Sequence, residues 1–494
     1  MSYQDFTERM SKIADVNYSI AVLHWDKEVN LPPKGAQHRS QQIATLSGIS
    51  HEMFTDPEFG KMLDDLSEKN GLDELQRKNV ALIRKDYNKQ KKYPTSFVIE
   101  LSKTTSESYH AWVKAKKAKD YSLFREALGK LVKLKRQETE IVGYEDHPYD
   151  ALVDEFEPGA KTKDLAELFA DVREKLVVFV NKLKEKSQVN ADFLYKNYPS
   201  GKQWDYGLKV LAQMGYDFDA GRQDVSPHPF TTNFSPNDVR VTTRIDENDL
   251  GNMIWSCIHE GGHALYEQGL PTEQYGLPLG SYLSLGIHES QSRLWENNVG
   301  RSLAYWKANY ANLQSVFPEN LGNVELLDFY KAINRVEPNL IRTEGDELHY
   351  HFHILIRFEI EKGLIEGSLE VDDLDQVWNQ KYRDYMGVEV PNDSKGILQD
   401  IHWSHGSIGY FPTYSLGSFY AAQFYAQAEK EIPGLASQIE SGDSSQLLTW
   451  LQQNIHQHGR RYTAEELCRK ITGESLNFDY FMKYVESKYA GIYN

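Results

Sequence analysis

His259-Glu260-Gly261-Gly262-His263 combines residue types and a spacing that define a reaction. Two imidazoles one helical turn apart share a face and can reach a single metal ion, with Glu260 beside them. Neutral imidazole ligands leave Zn²⁺ strongly Lewis-acidic, so that a bound water falls from a pKa of 15.7 to about 7. A carboxylate that is not itself a ligand can take that proton and pass it to a leaving amine. The pattern therefore points to metal-assisted hydrolysis, with His259 and His263 as metal ligands and Glu260 as general base and acid. The plain alternative is an amphipathic surface helix with a satisfied pair of histidines. Gly261 and Gly262 argue against it, because a glycine inside a helix costs about 1 kcal/mol unless something must approach closely.

Such a pair needs a helix beneath it and a third ligand opposite. Leu250, Met253, Ile254, Cys257, Ile258 and Leu265 recur at three- and four-residue steps, which predicts a helix with a buried stripe. Asn248 is the expected N-cap, and Gly269 with Pro271 ends the helix. A catalytic zinc keeps three protein ligands and one open position. Of the downstream carboxylates, Glu267 lies too far along the same helix axis and Glu273 falls in a Pro- and Gly-bearing turn. Glu289 and Glu296 lie in a new helical pattern that can fold back antiparallel against the first. Glu289 is the predicted third ligand, and His288 points elsewhere on that helix, where it is expected to support the ligands from outside or to serve the structure. Upstream, Pro227, Pro229 and Pro236 forbid a helix, and residues 238–245 alternate polar with apolar. That stretch reads as a strand with Asp238, Arg240 and Thr242 on one face and Val239, Val241 and Ile245 on the other. Its polar face is expected beside the metal and its edge is expected to receive an extended peptide. A solvated face of a two-sided sheet is the generic alternative.

The remaining chain supplies a helical body. Residues 75–88, 106–119 and 121–141 are charged and helically periodic, and Thr162 is expected to cap a helix whose buried face is Leu165, Leu168, Phe169, Val172, Leu176 and Phe179. There is no repeat, low-complexity tract or Pro/Gly/Ser-rich linker. The fold class expected is mainly α: a large helical two-lobed body around a deep active-site cleft, with a small β element before the metal helix. Residues 1–494 read as a single domain. A formal charge of −17 without any basic run argues against nucleic acid and anionic membrane as partners. No stretch approaches the length of an apolar span, and the first 45 residues lack the pattern of a secretory signal, so a cytoplasmic protein is expected. With only Cys257 and Cys468, no disulfide is expected.

Several motifs between His228 and Tyr414 resemble those of the carboxypeptidase Taq family of metallocarboxypeptidases. In chain order they are His228-Pro229-Phe230 (HPF), Asp238-Val239-Arg240-Val241-Thr242 (DxRxT), the HEGGH helix, and His288-Glu289-Ser290-Gln291 (HESQ). Ile341-Arg342-Thr343-Glu344-Gly345-Asp346 ([IV]RxxAD) and Gly396-Ile397-Leu398-Gln399-Asp400-Ile401-His402-Trp403 (GxxQDxHW) follow. Gly345 stands where the family pattern has Ala. The resemblance implies an almost wholly helical fold with a cleft and release of single C-terminal residues with broad specificity. It also implies one divalent metal, Zn²⁺ or sometimes Co²⁺, per chain and commonly a homodimer.

A carboxypeptidase needs a cation for the free α-carboxylate of its substrate, and the planar fork of Arg suits that role. Arg342 and Arg240 are the candidates, with Asp346 one turn after Arg342 to orient its guanidinium. An ordinary buried ion pair is the alternative for either. Thr242 and Gln399 complete the expected substrate contacts. Residues 396–417, aperiodic and rich in Gly and aromatics, read as a cleft-lining loop. Tyr414 or His402 is expected to stabilise the oxyanion, with Tyr410 and His405 as rivals, while Trp403 and Phe411 pack. His349, His351 and His353 lack an intervening Glu and precede an apolar run, so they read as a buried helix rather than a second metal site. An oligopeptidase or dipeptidase of the same motif would have no use for the Arg. A non-catalytic peptide-binding protein would have no use for Glu260.

Overall fold

The computed structural model describes residues 2–186 and 189–493. The helices that matter below are α1 (Tyr3–Val29), α2 (Glu74–Lys91), α3 (Thr95–Ala118), α4 (Ser122–Val142) and α5 (Thr162–Lys184). They are followed by α6 (Ser200–Met214), α7 (Leu250–Gln268), α8 (Leu285–Arg293), α9 (His349–Glu366) and α10 (Pro412–Glu431). Three short strands, β1 (Gly221–Val225), β2 (Thr231–Ser235) and β3 (Asp238–Thr243), interrupt this helical chain just before α7. The mainly α class with a small β element ahead of the metal helix is thus observed. Among the described residues no helix is long and apolar enough to cross a membrane.

The chain forms two compact units, each assembled from three separate stretches. The first comprises Met1–Gln90, Val189–Ile333 and Gly417–Tyr480. It carries α1, α6, the sheet, α7 and α8. An aromatic and aliphatic cluster of Phe6, Met10, Ile13, Phe59, Leu63, Val80 and Ile83 forms one of its cores. The second comprises Lys91–Gln188, Asn334–Leu416 and Phe481–Asn494. Its centre is α9, in which Ile354, Leu355, Ile356, Phe358 and Ile360 are all buried and which packs on α4 and α5.

Three local expectations change. The predicted strand is the middle one of the order β1–β3–β2, parallel to β1 and antiparallel to β2. Both of its edges are paired, so it cannot offer one to a peptide. Thr162 opens α5 without capping it; its N–H and hydroxyl both donate to Asp150 Oδ1, at 2.7 and 2.5 Å, a carboxylate delivered from twelve residues upstream. Asp249, not Asn248, caps α7 and accepts from the Gly251 N–H at 3.0 Å, because the helix begins one residue later than the pattern suggested.

Candidate active site

The predicted stripe of α7, from Leu250 to Leu265, is buried against α6, α8, β2 and β3. The two glycines of HEGGH explain how neighbours come so close. A Cβ on Gly261 would stand 2.8 Å from a Leu211 methyl and 2.9 Å from that of Met214, both on α6. One on Gly262 would stand 2.6 Å from Ser292 Cα and 2.7 Å from the Gln291 carbonyl oxygen on α8. Only a glycine lets the α8 backbone lie on the metal helix at this point.

That contact delivers Glu289. Its Oε2 lies 3.7 Å from His259 Nε2 and 3.5 Å from His263 Nε2. Candidate ligand atoms of the three residues all fall within 4.8 Å of one another, and among the described residues this is the one such group of three or more His, Cys, Asp or Glu. The geometry outside the triangle supports the same reading. His259 Nδ1 is 2.9 Å from Glu296 Oε2, and His263 Nδ1 is 2.5 Å from His288 Nδ1. His288 Nε2 in turn reaches Glu267 Oε1 at 2.8 Å. Each imidazole therefore has its Nδ1 engaged by the protein and its Nε2 aimed at Glu289, the pattern by which a metal-binding His has its tautomer and ring orientation fixed. Two nitrogens and one carboxylate oxygen make a donor set suited to a catalytic Zn²⁺.

Glu289 and Glu296 are themselves held. After α8 the chain widens into one π-helical stretch, Leu294–Gly300, and Arg293 spans the two carboxylates, with Nε 2.6 Å from Glu289 Oε1 and Nη1 3.1 Å from Glu296 Oε2. Burial would raise both carboxyls, and Arg293 with the neighbouring imidazoles overcomes it, so both end well below the usual range. Burial followed by the His288 ring draws His263 down to about 3. His259 moves the other way, because Glu289 and Glu296 outweigh its burial. Glu260 is 7% exposed, and burial raises its carboxyl above the ordinary value. Thr231 on β2 donates to its Oε2 at 2.7 Å.

The other predicted residues have the following surroundings. Arg240 pairs through Nε and Nη2 with Asp238, both at 2.8 Å, and its guanidinium lies over Trp25 at 4.4 Å. Thr242 is fully buried, bonded to Ser226 Oγ at 2.6 Å and to the Phe230 N–H at 3.0 Å, so its hydroxyl ties the sheet together and has no surface for a peptide. Arg342 lies in a short 3₁₀ turn, its Nε 3.0 Å from Asp400 Oδ1 and its Nη1 3.0 Å from the Tyr350 hydroxyl. Asp346 does not orient it. No helix joins the two, and Asp346 accepts from the Leu348 and His349 N–H groups at the start of α9 and from His349 Nδ1. The Gln399 side chain accepts from the Arg342 N–H and donates to the Leu340 and Gly396 carbonyls, which makes it a clamp within the loop rather than a free substrate contact.

His402 Nε2 is 3.1 Å from the Tyr414 hydroxyl, and Tyr414 stands on the first turn of α10 instead of in a loop. Burial pulls His402 down to about 3, so the ring is neutral. Of the rivals, His405 is exposed against Tyr109 and Tyr410 packs on Phe156. His349, His351 and His353 bond three different partners, Asp346, Ser415 and Tyr382.

Sequence reasoning missed Arg293 and the role of Glu296, although both sit at helical spacing from Glu289. It also passed over Asp400, whose Oδ2 accepts from Arg357 Nε at 2.7 Å while its Oδ1 holds Arg342. Asp400 lies inside a quoted motif, yet nothing in the local pattern says that two buried arginines converge on it.

Fold and site together define a helical metallopeptidase. The chain belongs to the carboxypeptidase Taq (M32) metallopeptidase family, which it matches over residues 5–489, and is a metallocarboxypeptidase. Carboxypeptidase 1 of Bacillus subtilis is 38% identical over 492 residues, covering 99% of this chain and 98% of the relative. The M32 carboxypeptidase structure from Deinococcus radiodurans R1 superimposes with a TM-score of 0.98 at 39% identity, covering 99% of both chains. A solved structure described as that of CHT is 60% identical with a TM-score of 0.97, covering 98% of this chain and 99% of that one.

Proposed function

We propose that this metallocarboxypeptidase releases single amino acids from the free C-termini of peptides with broad side-chain tolerance, using one divalent ion per chain held by His259, His263 and Glu289. The observation that carries the reading is the convergence of both Nε2 atoms on the Glu289 carboxylate while both Nδ1 atoms are bonded outward. A bound Zn²⁺, or Co²⁺, would supply Lewis-acid polarisation of the scissile carbonyl and acidify a water. Glu260 takes the proton of the attacking water on its carboxylate and returns it to the nitrogen of the leaving amino acid.

For the substrate carboxylate, the ion pairing supports Arg342 over Arg240. Asp238 pairs with Arg240 alone, whereas Arg342 and Arg357 share the carboxylate of Asp400 in buried surroundings. A buried guanidinium that shares its counter-charge favours an anionic ligand. For the oxyanion we assign Tyr414, whose hydroxyl lies 3.1 Å from Nε2 of the neutral His402. A tyrosine hydroxyl can donate a hydrogen bond to a developing negative charge. We further propose a homodimer, as the family resemblance implies, and a cytoplasmic location, in keeping with two free, buried thiols.

The test is a mixed peptide set offered as free acids and as C-terminal amides and read by mass spectrometry. Stepwise loss of one C-terminal residue is expected from the acids, and amidation should suppress it by at least about 30-fold. Arg342→Ala should slow cleavage of the acids and narrow that gap. Internal cuts, or equal cleavage of acid and amide, would make the enzyme an oligopeptidase instead.

A further inference from the structure

Strand β2 faces the metal helix through alternate residues, as a strand must. Thr231 and Asn233 point to the same side, and both end on carboxylates of α7. Asn233 Nδ2 donates to Glu267 Oε2, the carboxylate that holds His288 against His263. Thr231 Oγ1 lies 2.7 Å from Glu260 Oε2 and 3.0 Å from the Glu260 carbonyl oxygen. Among the described residues no other group donates a hydrogen bond to the Glu260 carboxylate. Thr231 directly follows His228-Pro229-Phe230, but none of the motifs includes it.

Resting on the reading of Glu260 as the base, we propose that Thr231 is its positioning residue. The glutamate side chain has three rotatable bonds, and without a fixed partner its carboxylate samples orientations that miss the water. Thr231 is suited to fixing it. A β-branched side chain is stiff at χ1, and the strand itself is registered against β3 with Thr231 opposite Val241. With Oε2 pinned by the hydroxyl, Oε1 is the oxygen free to accept the proton. The bond runs from one oxygen to another and does not reach the metal ligands, so its loss should leave metal binding intact and slow only the proton-transfer step.

The experiment compares Thr231→Val, which keeps shape and strand preference but loses the hydroxyl, with Thr231→Ser, which keeps the hydroxyl, in metal-loaded protein on a peptide with a free C-terminus. Thr231→Val should lower kcat by about 10- to 100-fold, the scale on which misplacing a reacting group is felt. KM and metal content should stay as in the parent. Thr231→Ser should stay within about 3-fold of the parent rate, because most of the positioning is retained. In a Glu260→Gln background the Val change should have no further effect on the residual rate, since a residue acting through Glu260 has nothing left to orient. A Val variant as fast as the parent, a Ser variant as slow as Val, or full additivity with Glu260→Gln would each overturn the proposal. If Thr231→Val loses its fold or its metal, Thr231→Ala carries the same comparison. A parent protein that loads metal and cleaves no peptide would instead refute the proposed function.

Discussion

Gly417 lies so close to Glu289 that a Cβ added to it would stand 2.4 Å from Glu289 Cγ and 2.5 Å from its Cβ. Gly262, whose own missing Cβ admits the backbone of α8 at Gln291 and Ser292, and Gly417 thus act on two parts of the segment that carries the proposed third ligand. The position of Glu289 is therefore set by packing as much as by its ion pair with Arg293.

Gly417→Ala and Gly262→Ala should accordingly weaken the metal site without abolishing the fold. Overpacking of this kind costs about 1 to 3 kcal/mol, and the neighbour that must give way at Gly417 is the proposed ligand Glu289. We expect metal affinity, titrated with a competing chelator, to fall by at least about 10-fold in both variants. Parental affinity in Gly417→Ala would show that Glu289 is not held by this contact.

Glu260→Gln should separate binding from turnover. The amide keeps the size of the side chain but cannot take a proton, so one metal per chain should remain while kcat drops by about 10² to 10⁴. Elemental analysis alongside the rate measures both. Near-parental activity would remove Glu260 from the mechanism.

The outward partners of the two histidines should matter nearly as much as the ligands. Glu296→Gln frees His259 Nδ1 from its carboxylate and unbalances Arg293 and Arg301, and His288→Ala leaves His263 Nδ1 without its partner. A loss of about 10- to 100-fold in metal affinity is expected from each. The idea fails if both variants hold the ion as tightly as the parent.

Asp400 ties the acid stability of its unit to two arginines. Burial would raise its carboxyl, but Arg342 and Arg357 overcome that and hold it far below its unfolded value of 3.8. A depressed carboxyl contributes stability in full above the unfolded pKa and loses it as pH falls below 3.8 towards the folded value. Asp400→Asn removes the carboxylate that two buried arginines share and should cost about 3 to 5 kcal/mol at neutral pH. In denaturant melts the gap between parent and variant should be constant from pH 7 to 5 and shrink below about pH 3.8. A gap that widened in acid would contradict the assignment.

What the sequence determined by itself was chemistry of short range. A period of 3.6 residues puts His259 and His263 on one face whatever the rest of the chain does, and the same periodicity marked Glu289 on a second helix. The six motifs, in order, were specific enough to imply the family. Partners that meet through packing lie outside such a pattern. Gln399, Thr242 and Asp346 belong to recognisable motifs, yet their side chains are taken up by a loop clamp, a sheet contact and a helix start, because those roles depend on which distant backbone donor arrives next to them. Strand β2 was invisible because Thr231-Thr232-Asn233-Phe234-Ser235 buries only Phe234 and shows no strong alternation. Thr231 on Glu260, Gly417 on Glu289 and two arginines on Asp400 are contacts across 29, 128, 58 and 43 positions of chain. No local period encodes separations of that length, so only the tertiary structure decided which side chains hold the reactive ones in place.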